Sequence, residues 1–261
     1  LPTPKPAKAI QNISLTETAS VFDILPKPVT NEKPLTFEDL HQAYGFVLYR
    51  TKLNGNTSGL LKIKDVRDYA VVFVNGKKQG TLDRRIKQDS LSLELPTGQV
   101  TLDILVENMG RINFGPYLLK NKKGITESVI YNGKELRGWE MYGLPFNTVS
   151  AISFSKSKTT PKDVPVLKRG FLTIDEPTDT YFDMRNWGKG SVWINGHHLG
   201  RYWNIGPQQT LYVPAEWMKK GKNEIVVFEL LNDQQSVLNG LDKPILNQLS
   251  PTTIHSKVDN R

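Results

Sequence analysis

The 261-residue chain is 38% hydrophobic, 9% aromatic and 23% charged, which excludes a fibrous or disordered protein and suits two domains. Its net charge of +8 comes from Lys and Arg residues interleaved with acidic ones, so we expect no nucleic-acid partner, and no apolar run is long enough for a membrane span. With no cysteine, neither disulfides nor thiolate metal sites can form, and the cellular compartment stays open.

Residues 1–36 are interpreted as a linker and a leading strand. Prolines alternate with other residues from Leu1 to Pro6, which stiffens an extended segment. The apolar residues between Ile10 and Leu25 predict a strand. The sequence leaves open which of the following sheets this strand joins.

An internal repeat organises the rest of the chain. Residues 71–80 (VVFVNGKKQG) match residues 191–200 (SVWINGHHLG), 120 positions further on. In the same alignment, we expect Phe46–Tyr49 to correspond to Phe171–Ile174. Short β-branched and aromatic runs separated by turn residues predict an all-β fold of two jelly-roll sandwiches in tandem. The predicted boundaries are 37–147 and 148–246, with a junction near 145–162 and a tail over 247–261 that is frayed from Pro251.

Turn signals mark the ends of many of these strands. The pairs Asn75-Gly76, Asn132-Gly133 and Asn195-Gly196 predict type I′ hairpins, because both central residues need positive φ. Helical turns are expected only at 37–41 and 214–219. Two basic runs, 120–123 and 219–222, are interpreted as exposed turns.

Several long strings resemble family 35 glycoside hydrolases, the family of the lysosomal β-galactosidase and many bacterial ones. They occur in the family's order and cover most of the chain: YGFVLYRT at 44–51, RDYA at 67–70, ENMGRINFG at 107–115, WING at 193–196 and LGRYWNIGPQQTLYVP at 199–214. The resemblance implies galactose-binding-like sandwiches. It also implies a periplasmic or secreted bacterial parent, or a lysosomal or extracellular eukaryotic one.

By resemblance, the parent enzyme removes terminal non-reducing β-D-galactose with retention, using two glutamates on an N-terminal (β/α)₈ barrel. A barrel needs about 250 residues of alternating strand and helix, a pattern that this chain lacks. We therefore expect a fragment without catalytic residues or cofactor, whose partners are the barrel and, through it, β-galactoside glycans. The acids Glu107, Asp183 and Glu229 lie at strand ends and are interpreted as structural. A weaker, alternative hypothesis is an independent enzyme with an unrecognised carboxylate pair.

The loop from Asn108 to Phe114 is the first candidate site. In the family that the chain resembles, this loop leans against the barrel, and an aromatic ring at the position of Phe114 helps to close the galactose pocket. Many relatives have tyrosine there, so any hydrogen bond from that position is lost here. We expect Arg111 and Asn113 to line the pocket with Phe114, or to bond only the loop backbone and the interdomain interface. Gly110 and Gly115 are the predicted hinge points.

A second candidate is a sugar platform formed by Arg201, Tyr202, Trp203 and Asn204. An indole can stack on a pyranose while Arg and Asn donate hydrogen bonds, as in a carbohydrate-binding module that acts by itself. Alternatively, Trp203 fills the end of the sandwich. Adjacent His197 and His198 point to opposite faces of a strand, so no metal site is expected. The other tryptophans are expected in the core or at an interface: Trp139, Trp187, Trp193 and Trp217.

Overall fold

The computed structural model describes residues 6–156 and 162–250. Most of the proline-rich start, part of the junction predicted near 145–162, and the tail predicted to fray from Pro251 lie outside these residues. The chain divides into two compact units. We call residues 25–147 the first sandwich, and residues 1–24 with 148–261 the second sandwich.

The strands in chain order begin with β1 (Ile10–Ser14) and β2 (Glu17–Ser20), which precede the first sandwich along the chain. The strands of the first sandwich are β3 (Val29–Asn31), β4 (Phe46–Asn54), β5 (Thr57–Ile63), β6 (Val66–Arg67), β7 (Tyr69–Val74), β8 (Lys77–Asp83), β9 (Ser90–Leu95), β10 (Gln99–Glu107), β11 (Gly124–Ile125), β12 (Val129–Tyr131), β13 (Lys134–Glu135) and β14 (Trp139–Leu144).

The remaining strands all belong to the second sandwich. They are β15 (Val166–Ile174), β16 (Thr180–Asp183), β17 (Lys189–Ile194), β18 (His197–Trp203), β19 (Thr210–Val213), β20 (Gly221–Glu229) and β21 (Val237–Leu241). Short 3₁₀ turns lie at Val21–Asp23, Arg84–Ile86, Leu118–Lys120 and Ala215–Trp217.

Two antiparallel sheets enclose the core of the first sandwich. Their strand orders are β3-β14-β4-β10-β7-β8 and β13-β12-β5-β9, with a small β11-β6 ladder beside them. Alternate residues of each strand point inward, so Tyr49 and Ile104 of the larger sheet meet Leu61 and Leu93 of the smaller one. Trp139 is also buried in this core, as the sequence predicted.

The second sandwich is built in the same way. Its sheets have the orders β18-β17-β20-β15-β2 and β1-β21-β16-β19. Val192 and Ile225 of one sheet pack in a single core with Phe182 and Leu238 of the other. The predicted all-β class with two sandwiches in tandem is therefore confirmed.

The N-terminal segment belongs to the second sandwich. Strand β1 pairs with β21, and β2 pairs with β15. Ile13 and Leu15 are buried in the second core. This segment and the residues after 147 therefore form one unit although the first sandwich separates them in the chain.

The three predicted hairpins are confirmed by positive φ angles. The φ angles are 50° and 75° at Asn75 and Gly76, and 49° and 82° at Asn195 and Gly196. In the third pair, Asn132 and Gly133, they are 49° and 75°. In the two repeated hairpins, the asparagine also accepts a hydrogen bond from the next strand, from the Thr101 N–H at 2.8 Å and the Glu224 N–H at 3.0 Å. The asparagine thus fastens each hairpin to its sheet.

One predicted correspondence within the repeat is wrong. Phe46 pairs with Glu107 at the start of β4, and Val166 occupies the equivalent place opposite Glu229 at the start of β15. Phe46 therefore corresponds to Val166, five positions before the expected Phe171. Both segments are apolar over several residues, so only the pairing register distinguishes the two alignments.

The helical turns predicted at 37–41 and 214–219 are present. Leu40 N donates to Thr36 O at 3.1 Å, His41 N donates to Glu38 O at 3.0 Å, and a 3₁₀ turn covers Ala215–Trp217. The basic run at 219–222 is exposed at its lysines. The run at 120–123 differs from the prediction. Lys123 is only 3% exposed, because its ammonium group forms a buried ion pair.

Candidate functional site

The first candidate site is a loop that follows β10, and we call residues 108–117 the pocket loop. Its first residue, Asn108, is buried and donates from Nδ2 to the Ala43 carbonyl at 2.9 Å. Its backbone N–H donates to the Gly45 carbonyl at 3.0 Å, and its Oδ1 accepts from the Gly110 N–H at 3.0 Å. The loop therefore leaves the sheet in a defined direction.

Arg111 fastens the pocket loop to the turn over residues 37–43. Its Nε and Nη2 donate to the Ala43 carbonyl at 3.2 and 3.0 Å, and its Nη1 pairs with the Glu38 carboxylate. The Ile112 N–H donates to Asn121 Oδ1 at 3.2 Å. These contacts hold Arg111 in the scaffold of the loop, and the pocket-lining role expected for it stays a prediction.

Glu38 holds both Arg111 and the backbone of Lys123. Its Oε2 accepts from the Lys123 N–H at 3.0 Å. Burial acts to raise the pKa of Glu38, but the hydrogen bonds from Lys123 and Arg111 outweigh it and leave the pKa below its ordinary value of 4.5. The carboxylate is therefore charged at neutral pH.

Beyond Arg111 the pocket loop presents apolar groups to the solvent. Phe114 is 89% exposed, and Asn113 beside it is also exposed. Gly110 and Gly115 have φ of 130° and 103°, which side-chain-bearing residues rarely adopt. The neighbouring apolar side chains share this exposure: Ile112, Tyr117, Leu118 and Leu119. An anchored loop with an exposed apolar tip is typical of a contact surface.

A buried ion pair lies beside the start of the pocket loop. Lys123 Nζ is 2.9 and 2.7 Å from the two carboxylate oxygens of Asp68, which is 7% exposed. The Met109 N–H also donates to Asp68 Oδ2, at 2.9 Å. The pair arises because β6 and β11 align Arg67 with Gly124, so the residues that flank them face each other.

A cleft of about 1000 Å³ opens beside this ion pair and includes residues 109–112 of the pocket loop in its wall. Most of its charged groups are matched with opposite charges, as in the Arg67–Asp65 pair at 2.8 Å. Burial acts to raise the pKa of Asp65, but hydrogen bonds from Arg67 and Thr126 outweigh it, so the pKa lies below its ordinary value. Asp65 is therefore ionised and poorly suited to donate a proton.

The second candidate, the run from Arg201 to Asn204, is divided between the core and the surface. Tyr202 is 5% exposed, its ring packs edge-on against Trp187, and its hydroxyl lies 2.9 Å from Glu229 Oε2. Burial raises the pKa of Tyr202 well above its ordinary value. Tyr202 is thus a core residue, which corrects its place in the predicted platform.

The other members of this run lie nearer the solvent. Arg201 and Asn204 are exposed, and Trp203 is half-buried. The Lys189 ammonium lies 4.3 Å from the centre of the Trp203 ring. Because side chains alternate along β18, Arg201 and Trp203 share a face that Tyr202 does not.

Two of the strand-end acids have the structural role predicted for them. Glu229 is fully buried, and its carboxylate accepts from the backbone N–H groups of Gly188, Lys189, Leu231 and Asn232 at 2.7–3.2 Å. Burial raises its pKa, and these four hydrogen bonds partly offset the rise. Asp183 pairs with Arg185 at 2.6 Å. The third acid, Glu107, is buried at the end of β10.

The two adjacent histidines contact different tryptophans. His197 stacks on Trp217 at 5.0 Å between ring centres, and His198 lies 5.0 Å from Trp193. Burial lowers the pKa of His198, and Arg201 lowers it further. Within residues 6–156 and 162–250, no three metal-ligating side chains cluster. Over the same residues, no helix has the length and apolarity to cross a membrane.

Two known protein families match the chain, and each matched region contains one of the candidate sites. Residues 34–145 match "Beta-galactosidase, first all-beta domain", and residues 165–223 match "Beta-galactosidase, galactose-binding domain". The chain belongs to the β-galactosidase family. The first matched domain contains the pocket loop, and the galactose-binding domain contains the run from Arg201 to Asn204.

Similar β-galactosidases occur in bacteria, plants and animals. The chain is 43% identical to a β-galactosidase of Xanthomonas manihotis over 213 residues, which cover 82% of this chain and 35% of that protein. It is 38% identical to β-galactosidase 17 of Arabidopsis thaliana, in an alignment that covers 88% of this chain and 38% of that protein. It is 37% identical to human β-galactosidase-1-like protein 2, covering 78% and 33%. The chain thus spans about a third of the length of these relatives.

The sequence did not reveal the Asp68–Lys123 pair or the role of Glu38. Lys123 stands in a basic run next to a glycine, which is the usual pattern of an exposed turn. Asp68 lies in the RDYA string that resembles the family, so its motif was visible, but its partner is 55 residues away. Only the β6-β11 ladder brings the two together.

Proposed function

We propose that the chain is the non-catalytic C-terminal region of a retaining β-galactosidase that removes terminal non-reducing β-D-galactose. An N-terminal (β/α)₈ barrel in the same polypeptide carries the two catalytic glutamates. The two sandwiches brace that barrel, and the pocket loop contributes Phe114 to the wall of its galactose pocket. The glycan substrate thus reaches this chain only through the assembled enzyme.

The observation that carries this proposal is the pocket loop. Asn108 and Arg111 hold its base through short hydrogen bonds, whereas Phe114 is 89% exposed at its tip. An apolar ring held out by a fixed base loses little conformational entropy when it meets a partner. Its ring face suits the C–H face of galactose.

The surroundings of three acids in the first sandwich, Asp65, Asp68 and Asp103, support a non-catalytic role. A retaining glycosidase needs a carboxyl group with a raised pKa about 5–5.5 Å from an ionised one. In the cleft of the first sandwich, Asp65 has a lowered pKa and Asp68 is ion-paired. Burial raises the pKa of Asp103, but this residue pairs with Arg50 at 2.7 Å and does not line the cleft.

A chimeric enzyme tests the proposal. Residues 6–250 would replace the matching segment of the Xanthomonas manihotis β-galactosidase, and hydrolysis of an aryl β-galactoside would be measured. We expect activity in the chimera and none in the chain alone. Phe114→Ala should raise KM about fivefold, since an aromatic contact of this kind stabilises by about 1 kcal/mol.

Two variants serve as controls in the chimera. Phe114→Tyr keeps the ring and should change KM less than about twofold. Phe171→Ala removes a partly exposed phenylalanine of the second sandwich and should leave KM unchanged. Turnover by the chain alone, or an unchanged KM in Phe114→Ala, would refute the proposal.

The second candidate function is a carbohydrate-binding module that recognises galactosides by itself. The observation that favours it is that exposed Arg201 and half-buried Trp203 share one face of β18, within the segment that matches the galactose-binding domain. Calorimetric titration of the chain with methyl β-galactoside would show saturable binding that Trp203→Ala abolishes. Trp217→Ala is the matched control, because Trp217 is a half-buried tryptophan of the same sandwich. Absence of binding at millimolar sugar would exclude this function.

A further inference from the structure

We propose that Asp68 and Lys123 are positioning residues that hold the pocket loop in the shape that presents Phe114. Neither side chain belongs to the exposed tip of the loop. Both act on the residues on either side of Gly110, through the backbone of Met109 and the side chain of Arg111. The effect on catalysis rests on the function proposed above, whereas the effect on the loop does not.

The Asp68 carboxylate accepts hydrogen bonds from several donors. Its two oxygens receive Lys123 Nζ at 2.9 and 2.7 Å, and Oδ2 also accepts from the Met109 N–H at 2.9 Å. Arg84 Nη1 lies 3.6 Å away. The Asp68 N–H donates to the Glu107 carbonyl at 2.8 Å, which ties Asp68 to the last residue of β10. Asp68 is therefore hydrogen-bonded to the backbone of both Glu107 and Met109, the two neighbours of Asn108.

Lys123 continues this connection to Arg111. Its side chain pairs with Asp68, while its backbone N–H donates to Glu38 Oε2 at 3.0 Å. The other oxygen of Glu38 pairs with Arg111. The order of contacts is thus Met109, Asp68, Lys123, Glu38 and Arg111, which closes a ring around Gly110. A change in Asp68 or Lys123 is transmitted to both neighbours of this glycine.

The pocket loop needs such anchors because its tip has few internal contacts. Gly110 has no side chain and a φ of 130°, and Phe114 and Tyr117 are 89% and 66% exposed. Residues with so little burial cannot offset the loss of conformational entropy on ordering. The order of the loop must therefore come from its base, where Asp68 and Lys123 are buried.

Hydrogen exchange on the 261-residue chain tests the effect on the loop. We expect amides in a peptide over residues 107–120 to exchange about tenfold faster in Asp68→Asn and Lys123→Met, equivalent to about 1.4 kcal/mol in opening free energy. Peptides from β4 and β7 should be unchanged. Asp103→Asn is the matched control, because it breaks the Arg50–Asp103 pair in the same sandwich without touching the loop. Unchanged exchange at 107–120 in both variants, or an equal rise in the control, would overturn the proposal.

A double variant covers the possibility that one buried charge left alone prevents folding. Asp68→Leu with Lys123→Met removes both charges and the acceptor for Met109, and an apolar replacement of a buried pair is usually tolerated. Faster exchange confined to residues 107–120 supports the proposal. Exchange equal to that of the parent chain contradicts it.

Kinetics in the chimeric galactosidase separate positioning from general stability. Asp68→Asn should raise KM for an aryl β-galactoside about as much as Phe114→Ala does, with kcat changed less. In a Phe114→Ala background, Asp68→Asn should change KM less than about twofold, because the ring it positions is already gone. Additive effects would contradict positioning through Phe114. If Phe114→Ala leaves KM unchanged while the Asp68 and Lys123 variants exchange faster at residues 107–120, the proposed function is refuted, but the anchoring of the loop by Asp68 and Lys123 is supported.

Discussion

At the scale of single residues, Glu229 shows how hydrogen bonds stabilise a buried carboxylate. Four backbone N–H groups and the Tyr202 hydroxyl surround its two oxygens. They come from three separate segments, at residues 188–189, 202 and 231–232. The side chain thereby links β17, β18 and the chain after β20.

Glu229→Gln should destabilise the second sandwich by about 3 kcal/mol. The amide NH₂ that replaces one oxygen would face backbone N–H donors, leaving buried polar groups unsatisfied. Urea unfolding followed by tryptophan fluorescence would measure the change. Glu216→Gln, at an exposed position in the same sandwich, should alter the free energy of unfolding by less than about 0.5 kcal/mol. A similar small change in Glu229→Gln would show that the hydrogen-bond set contributes little.

At the scale of elements, the pocket loop should loosen at acidic pH. The folded-state pKa of Glu38 lies below its ordinary value of 4.5. The stability that the charged carboxylate gives to the anchored loop is therefore present above pH 4.5 and is lost as the pH falls through the folded-state pKa. Protonation weakens its pair with Arg111. Since the chain has no cysteine, Asn113→Cys gives a single labelling site on the loop.

Fluorescence anisotropy of that label would report the motion. We expect the anisotropy to drop as the pH falls through the lowered pKa of Glu38, below the ordinary value of 4.5, and to recover at neutral pH. In Glu38→Gln the anisotropy should already be low at neutral pH and should not fall further. A drop of equal size in both proteins would assign the acid effect to another group.

The repeated hairpins are a second element whose local chemistry can be tested. Asn75 and Asn195 combine a φ near 50° with a side-chain hydrogen bond to the adjacent strand. Asn75→Ala should destabilise the first sandwich, and Asn195→Ala the second, by about 1–3 kcal/mol, from backbone strain and the lost bond.

Thermal unfolding would measure both hairpin variants. Glycine at the same positions relieves the backbone strain and should cost less than alanine. If glycine and alanine variants are equally stable, the positive φ carries no cost at these turns.

At the scale of the whole molecule, the N-terminal segment should be required only by the second sandwich. Strands β1 and β2 cover β21 and β15, and Ile13 and Leu15 fill the second core. We therefore expect residues 25–147 to fold alone, and residues 148–261 to fold only when a peptide of residues 6–24 is added. Circular dichroism and thermal unfolding of the separate pieces would test this. Cooperative unfolding of 148–261 without the peptide would contradict it.

The sequence predicted the fold better than it predicted the site. The Asn-Gly pairs and the alternating apolar strands are local patterns, and both appear where they were expected. The site was predicted less fully, because the role of Arg111 depends on Glu38, which is 73 residues away. The aromatic and polar run around Tyr202 predicts a surface platform, whereas the strand register turns Tyr202 into the core.

By itself, the sequence determined the β-galactosidase family, the all-β class and the hairpin positions. These depend on residue types and spacings within short segments, where backbone preference and side-chain alternation act directly. The tertiary structure alone decided where β1 and β2 pair, that Phe46 corresponds to Val166, and that Lys123 is buried against Asp68. Each of these depends on a contact between segments distant in sequence, and an apolar or basic run fits more than one such contact until the sheets align.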